Sequence, residues 1–123
     1  MAELTFALSG PFKPYVRMTQ RGKWVKPAAQ EYLSSKAALA LQFRQQMAGE
    51  MIERGSPLSA SIEIEHAQRF NHRDLDNEVK AILDAAQGVV FENDCWIDQI
   101  TAWRWLGEME RISATVKVWR IAE

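Results

Sequence analysis

The chain has 123 residues, 47% of them apolar and 25% charged, a size and balance that fit one globular domain over 1–123 with a single core. No apolar run nears the roughly 18 residues that cross a bilayer and no signal-peptide pattern opens the chain, so the expectation is a cytoplasmic protein without a membrane span. The single cysteine, Cys95, excludes an intrachain disulfide framework, and neither it nor His66 and His72 has the spacing of a zinc site.

A formal net charge of -1 conceals an asymmetry. Residues 1–46 hold seven basic side chains against two acidic ones, and the remainder holds eight against fourteen, so the two parts carry +5 and -6. A basic arm joined to an acidic site suits an anionic polymer held by one part and attacked at the other; mutual attraction between the two parts within the fold is the plainer explanation.

In chain order, Leu4, Phe6 and Leu8 alternate with polar or small residues and predict a half-buried strand, which Gly10-Pro11 ends. Lys13 to Lys26 carries five basic residues and no acidic one, with Tyr15 and Trp24 interleaved and Gly22 offering a turn. That composition predicts a basic hairpin or extended loop suited to phosphates and to packing on bases or sugars, although basic surface loops without such a role are common. Pro27 opens a helix expected to reach about Glu53, with Tyr32, Leu33, Ala37, Leu41, Arg44 and Met47 as a mixed stripe that Leu39, Phe43 and Ile52 widen. Its polar face, with Lys36, Gln42, Gln45 and Gln46, is available to extend a phosphate surface.

Gly55-Ser56-Pro57 breaks that helix, and Ala60, Ile62, Ile64 and His66 then alternate with polar or small residues as a second strand. His66 on this apolar face reads as a satisfied core histidine. Residues 68–73 form a polar, basic lead-in in which Phe70 is either buried or a wedge between bases. Leu75, Val79, Ile82, Leu83 and Ala86 then predict a helix stopped at Gly88, with Asp76, Lys80 and Asp84 sharing its opposite face. Two alternating segments, 97–106 and 112–119, predict a closing antiparallel hairpin, with Trp103 and Trp105 either at an interface or against the helices.

Asp74 and Asp76 flank Leu75 where the chain enters the second helix, so an extended backbone there points both carboxylates to one side. Asp94 can join them if the segment after the helix runs back along it as a strand. Three such carboxylates are hard ligands suited to Mg²⁺ or Mn²⁺, which acidify bound water and neutralise phosphate oxygens, and Lys80 one turn on can stabilise a pentavalent phosphate. The competing explanation makes Asp74 and Asp76 caps, Lys80 a partner of Asp76 or Asp84, and Asp94 a turn residue.

The run Asp74-Leu75-Asp76-Asn77-x-x-Lys80-Ala81-Ile82-Leu83-Asp84-Ala85-x-x-Gly88-Val89-Val90-x-x-x-Asp94 resembles the signature of the RusA family of Holliday junction resolvases, and Pro11-Phe12-Lys13-Pro14 with Arg17 loosely resembles that family's proline- and base-rich loop. The resemblance implies an α+β fold, a small mixed or antiparallel sheet with two main helices, in a homodimer. It further implies a Mg²⁺-dependent endonuclease, with Mn²⁺ able to substitute, that resolves four-way DNA junctions by paired symmetric nicks in recombination and repair. Carried over residue by residue, Asp74, Asp76 and Asp94 are the metal carboxylates and Lys80 is the catalytic lysine, while Asn77 and Asp84 support the helix. Asn93-Asp94 departs from the paired aspartates frequent in the family, which touches an accessory role. Lys13, Arg17, Arg21, Lys23, Lys26, Arg69 and Arg73 are the expected DNA contacts. A branched-DNA-binding protein without cleavage and a less selective nuclease on flaps or splayed arms are the alternatives.

Overall fold

Among the described residues, strand, helix and turn residues fall into seven elements. They are β1 (Leu4–Ser9), α1 (Pro27–Gln46), β2 (Leu58–His66), α2 (Leu75–Ala86), a 3₁₀ turn (Asp94–Trp96), β3 (Ile97–Leu106) and β4 (Ser113–Arg120). The computed structural model describes residues 3–13, 27–55, 57–67, 74–108 and 110–121. The architecture is the expected α+β one: a four-stranded mixed sheet in the order β1-β4-β2-β3 with two helices.

Alternation decides which face of that sheet is buried. Phe6, Val116, Ile62 and Ala102 stand in register across all four strands. The first three are fully buried against Leu39 and Phe43 of α1 and Val79, Ile82 and Leu83 of α2. Phe6 meets Phe43 edge-on, ring centroids 5.0 Å apart. Each such side chain removed from water contributes about 1.5–3 kcal/mol, so these rows set the register. A slip of one residue would put Glu63 and Glu65 into the core.

The expected closing hairpin does not form. β4 pairs antiparallel with both β1 and β2, while β3 pairs with β2 in parallel. The residues explain the exchange. β4 turns Ala114, Val116 and Val118 inward, all buried, and tolerates a central place. β3 turns Arg104 toward the same side and leaves Ile100 half exposed there, which an edge strand accommodates. The parallel pairing needs a crossover, and α2 supplies it. Gly107, on the way from β3 to β4, lies where an added Cβ would come within 2.3 Å of the Glu65 side chain.

α1 stops at Gln46 rather than near Glu53. Gly49 adopts φ +83, and beyond it the chain is drawn to the end of α2, where Ile52 N–H donates to Val90 O at 2.8 Å. The buried stripe of α1 is Ala29, Tyr32, Ser35, Leu39 and Phe43, and Leu41 is exposed, because the face is fixed by the i, i+3, i+4 rhythm through Tyr32 and Leu39. Flanking that stripe, Gln42 and Gln46 bind the free edge of β1. Ser9 N–H and Ala7 N–H each donate to a glutamine Oε1 at 2.8 Å, and the two amide nitrogens return bonds to Ser9 O at 2.9 Å and Ala7 O at 2.8 Å. The helix glutamines therefore cover β1's edge and are not a phosphate surface. Trp103 and Trp105 stack at 4.6 Å on the sheet face away from the helices, and Trp103 is half exposed, so they do not pack against the helices.

Candidate active site

α2 follows directly on extended backbone. Asp74 has φ -82 and ψ 134 and occupies the N-cap position, but its side chain makes no capping hydrogen bond. Its carbonyl starts the helical ladder by accepting from Glu78 N–H at 3.2 Å. The capping explanation of this carboxylate therefore fails, and Asp74 and Asp76 both stand exposed at the mouth of the helix.

The far end of α2 reverses sharply. Gly88 has φ +89, a backbone state that a side chain disfavours. Around it Val89 and Val90 N–H donate to Ala86 O at 3.0 and 2.9 Å, and Gly88 N–H donates to Phe91 O at 2.7 Å. Val90 and Phe91 are driven fully into the core by this turn. The segment after α2 is thus a compact turn and not a strand running back along the helix. Asp94 opens the 3₁₀ turn that follows, its N–H donating to Gln87 Oε1 at 3.1 Å, and Asn93 Oδ1 accepts from Cys95 N–H at 3.0 Å. The return along α2 is made by β3, which carries Ile100 and Ala102 past the helix.

Between α2 and β3 lies an open cleft of about 640 Å³. Leu75, Val79 and Leu83 of the helix and Ile100 and Ala102 of the strand form its apolar floor, and Asp76, Lys80 and Asp94 supply its charged groups. Three of the four expected catalytic residues thus share one cleft. Asp74 does not line it, and Asp94 is held toward the C-terminal end of the helix through Gln87. Among the described residues no three acidic, histidine or cysteine side chains are grouped closely enough to hold a metal ion. The oxygen donors of Asp76 and Asp94 nevertheless suit Mg²⁺, which binds through one or two carboxylates and fills its remaining positions with water and substrate phosphates.

Asp84 separates from this group. Eight residues turn a helix about 80° past whole turns, so Asp84 leaves the face of Asp76 and points to α1. There the buried Tyr32 hydroxyl donates to its carboxylate, and Lys36 Nζ lies 3.3 Å away. The shared face expected for Asp76, Lys80 and Asp84 is therefore divided: the first two serve the cleft and the third joins the helices.

Of the expected DNA contacts, Lys13 is half-buried and its N–H donates to Ser35 Oγ at 3.2 Å. Arg17, Arg21, Lys23, Lys26, Arg69 and Arg73 lie outside the described residues, as do the proposed basic hairpin and Phe70.

One group escaped the sequence reading. Glu78, in the first turn of α2, is fully buried, accepts from Arg104 Nη1 of β3, and lies 2.8 Å from His66 Nε2 of β2. A signal was present: Glu78 falls inside the arc of Leu75 and Ile82, and two other polar residues, His66 and Arg104, fall on inward strand positions. A buried carboxylate needs such partners.

Comparison with known families decides the class. The family model of Endodeoxyribonuclease RusA matches residues 11–117, most of the chain. The chain belongs to the RusA family. The match takes in the basic segment, both helices and all the charged residues of the cleft, and it bears out the likeness carried by residues 74–94. RusA membership makes the chain one of an endodeoxyribonuclease family. No curated protein matches the chain.

Proposed function

We propose that this protein is a Mg²⁺-dependent endonuclease that resolves Holliday junctions by paired symmetric nicks during DNA recombination and repair. The observation that carries the reading is the meeting of Asp76, Lys80 and Asp94 on one cleft in a RusA-family chain. Asp76 and Asp94, with Asp74, would hold the Mg²⁺ ion, and Mn²⁺ would substitute for it. When bound, such an ion supplies an acidified water and neutralises charge on a phosphate oxygen.

The chain's own residues then have separable tasks. Lys80 brings a positive charge to the cleft, where it offsets the negative charge that builds on the phosphate as the nucleophile adds. Asp94, anchored through its backbone to Gln87, gives the second carboxylate a fixed origin. The apolar floor from Leu75 to Ala102 keeps water from one side of the reacting group and strengthens these interactions. Phosphate contacts away from the cut fall to Lys13, Arg17, Arg21, Lys23, Lys26, Arg69 and Arg73.

A homodimer completes the reading, because a four-way junction has approximate two-fold symmetry and two nicks need two sites. The sheet supports it. β1's edge is covered by Gln42 and Gln46, whereas β3's edge exposes Ile100, Trp103 and Leu106. The single exposed Cys95 suits a cytoplasmic, reducing setting.

Synthetic four-way junctions, flaps and splayed arms incubated with the protein and Mg²⁺ test the proposal. Symmetric paired nicks in the four-way junction, lost in Asp76→Asn, are expected. Junctions bound but uncut with every divalent metal would leave a binding protein, and equal cutting of flaps would leave a less selective nuclease.

A further inference from the structure

The His66–Glu78–Arg104 group sits directly behind the cleft without touching it. Glu78 has 0% of its side chain exposed, Arg104 only 18% and His66 5%. Burying a carboxylate here costs several kcal/mol unless it is paired, and an apolar residue at the same place would carry no such cost. The arrangement is nevertheless complete: Arg104 bonds Oε1, His66 bonds Oε2, and no buried side-chain nitrogen or oxygen among the described residues lacks a partner.

What these bonds fix is the rotation of α2. Asp76 and Lys80 lie two residues to either side of Glu78, so each is turned by roughly 200° from it and the two fall within about 40° of one another. Holding Glu78 inward therefore holds both cleft residues outward together. Hydrophobic packing alone leaves this angle soft, since Val79, Ala81, Ile82, Leu83, Ala85 and Ala86 spread apolar surface over a wide arc of the helix. The two bonds to Glu78 are directional, and they come from different strands. His66 ends β2, and Arg104 stands opposite Ile64 in the adjacent β3. The first turn of α2 is thus pinned to the ends of both parallel strands.

We propose that Glu78 is a positioning residue for the nuclease reaction, acting through Arg104 and His66 to set the angle at which α2 presents Asp76 and Lys80. This rests on the nuclease reading of the cleft. It makes Glu78 matter to the chemical step, although it is sealed from DNA and metal alike.

The test compares wild type, Glu78→Gln, and the double variant Glu78→Leu with Arg104→Leu. For each, the melting temperature, the four-way-junction Kd in Ca²⁺, and the single-turnover cleavage rate in Mg²⁺ are measured, the last well below every melting temperature. Replacing the ion pair by two apolar side chains restores stability lost in a single variant, but not the directional bonds. Expected for the double variant are a melting temperature near wild type, an unchanged Kd, and a cleavage rate lowered about tenfold or more, the scale of a small misplacement of catalytic groups. A rate that recovers together with the melting temperature would overturn the proposal, as would full-rate cleavage by folded Glu78→Gln. Backbone hydrogen exchange over Glu78–Leu83 gives a readout independent of activity. It should quicken about tenfold or more in Glu78→Gln, the first turn then opening locally at lower cost. Unchanged exchange would also sink the idea, whereas a wild-type protein that cuts nothing removes the nuclease reading and leaves the exchange arm to judge the pinning.

Discussion

The Tyr32 hydroxyl donates to the carboxylate of Asp84, joining the buried face of α1 to the flank of α2 away from the cleft. Lys36 adds a partly exposed ion pair to the same carboxylate. The helix carrying Asp76 and Lys80 is therefore braced on two sides, by α1 through Asp84 and by the sheet through Glu78. Tyr32→Phe removes the hydroxyl alone and leaves a charged acceptor short of one donor. It should cost about 1.5 kcal/mol, since bonds to charged groups are worth more than neutral ones. Thermal denaturation reads this as a drop of several degrees. A melting temperature equal to wild type would mean that water replaces the hydroxyl at no cost.

Asp76→Asn and Lys80→Gln change charge at exposed positions that line the cleft. Each should leave the melting temperature within about a degree, the usual result for surface changes. Single-turnover junction cleavage should nevertheless fall about a hundredfold or more in each, the scale reported by loss of one charge-stabilising group. Asp84→Asn supplies the contrast, lowering the melting temperature while sparing most of the rate. If Asp84→Asn were the more damaging to cleavage, the division of the acids between cleft and brace would be wrong.

The basic arm predicts a signature in salt rather than in rate. Neutralising Arg17, Arg21 and Lys23 to Gln should weaken junction binding in Ca²⁺ and lower the slope of log K against log salt by about 0.9 for each lost phosphate contact. Titrations at several salt concentrations measure it, and an unchanged slope would remove the arm from the DNA interface.

Much of this was legible in the residues. The strands at Leu4–Ser9 and Leu58–His66 and the helix at Leu75–Ala86 follow from periods of two and 3.6, because one face of each is packed and the other is not. The length of the residue 74–94 pattern carried the family. Strand order was not legible: the alternation in β3 and β4 tells which residues face inward, but not that β4 inserts between β1 and β2. Inward-facing Arg104 is the residue that suits β3 to an edge. The end of α1 was misread because Ile52 is buried by a tertiary contact with the turn after α2, which periodicity attributes to the helix. Glu78 is not legible as a site because a carboxylate in an apolar arc is informative only once its partners, on the strands before and after α2, are in place.

Gln42 and Gln46 act as a substitute strand along β1, each giving and receiving one backbone bond. Gln42→Ala and Gln46→Ala should each cost about 1 kcal/mol, the net worth of exposed neutral bonds being small. Being one turn apart on the same strand edge, they should not add independently in the double variant. The more telling measurement is hydrogen exchange at Ser9 and Ala7, whose amide hydrogens lose their acceptors. Protection there that survives the double variant would show that the glutamines do not hold the edge.

At the opposite edge β3 has no such cover among the described residues, and three of its residues, Ile100, Trp103 and Leu106, are about half exposed. Apolar residues on both faces of an edge strand invite pairing, and a charge placed there opposes it. Trp103→Glu places a charge beside Glu63, its register partner on β2, on the outer face, and so should repel a second copy without entering the core. Light scattering coupled to size exclusion is expected to give a dimer for wild type and a monomer for Trp103→Glu, with the melting temperature falling as protomer concentration falls. The monomer should still bind a junction arm through its basic residues but make single, unpaired nicks. A Trp103→Glu protein that remains dimeric and nicks symmetrically would place the interface elsewhere on the molecule.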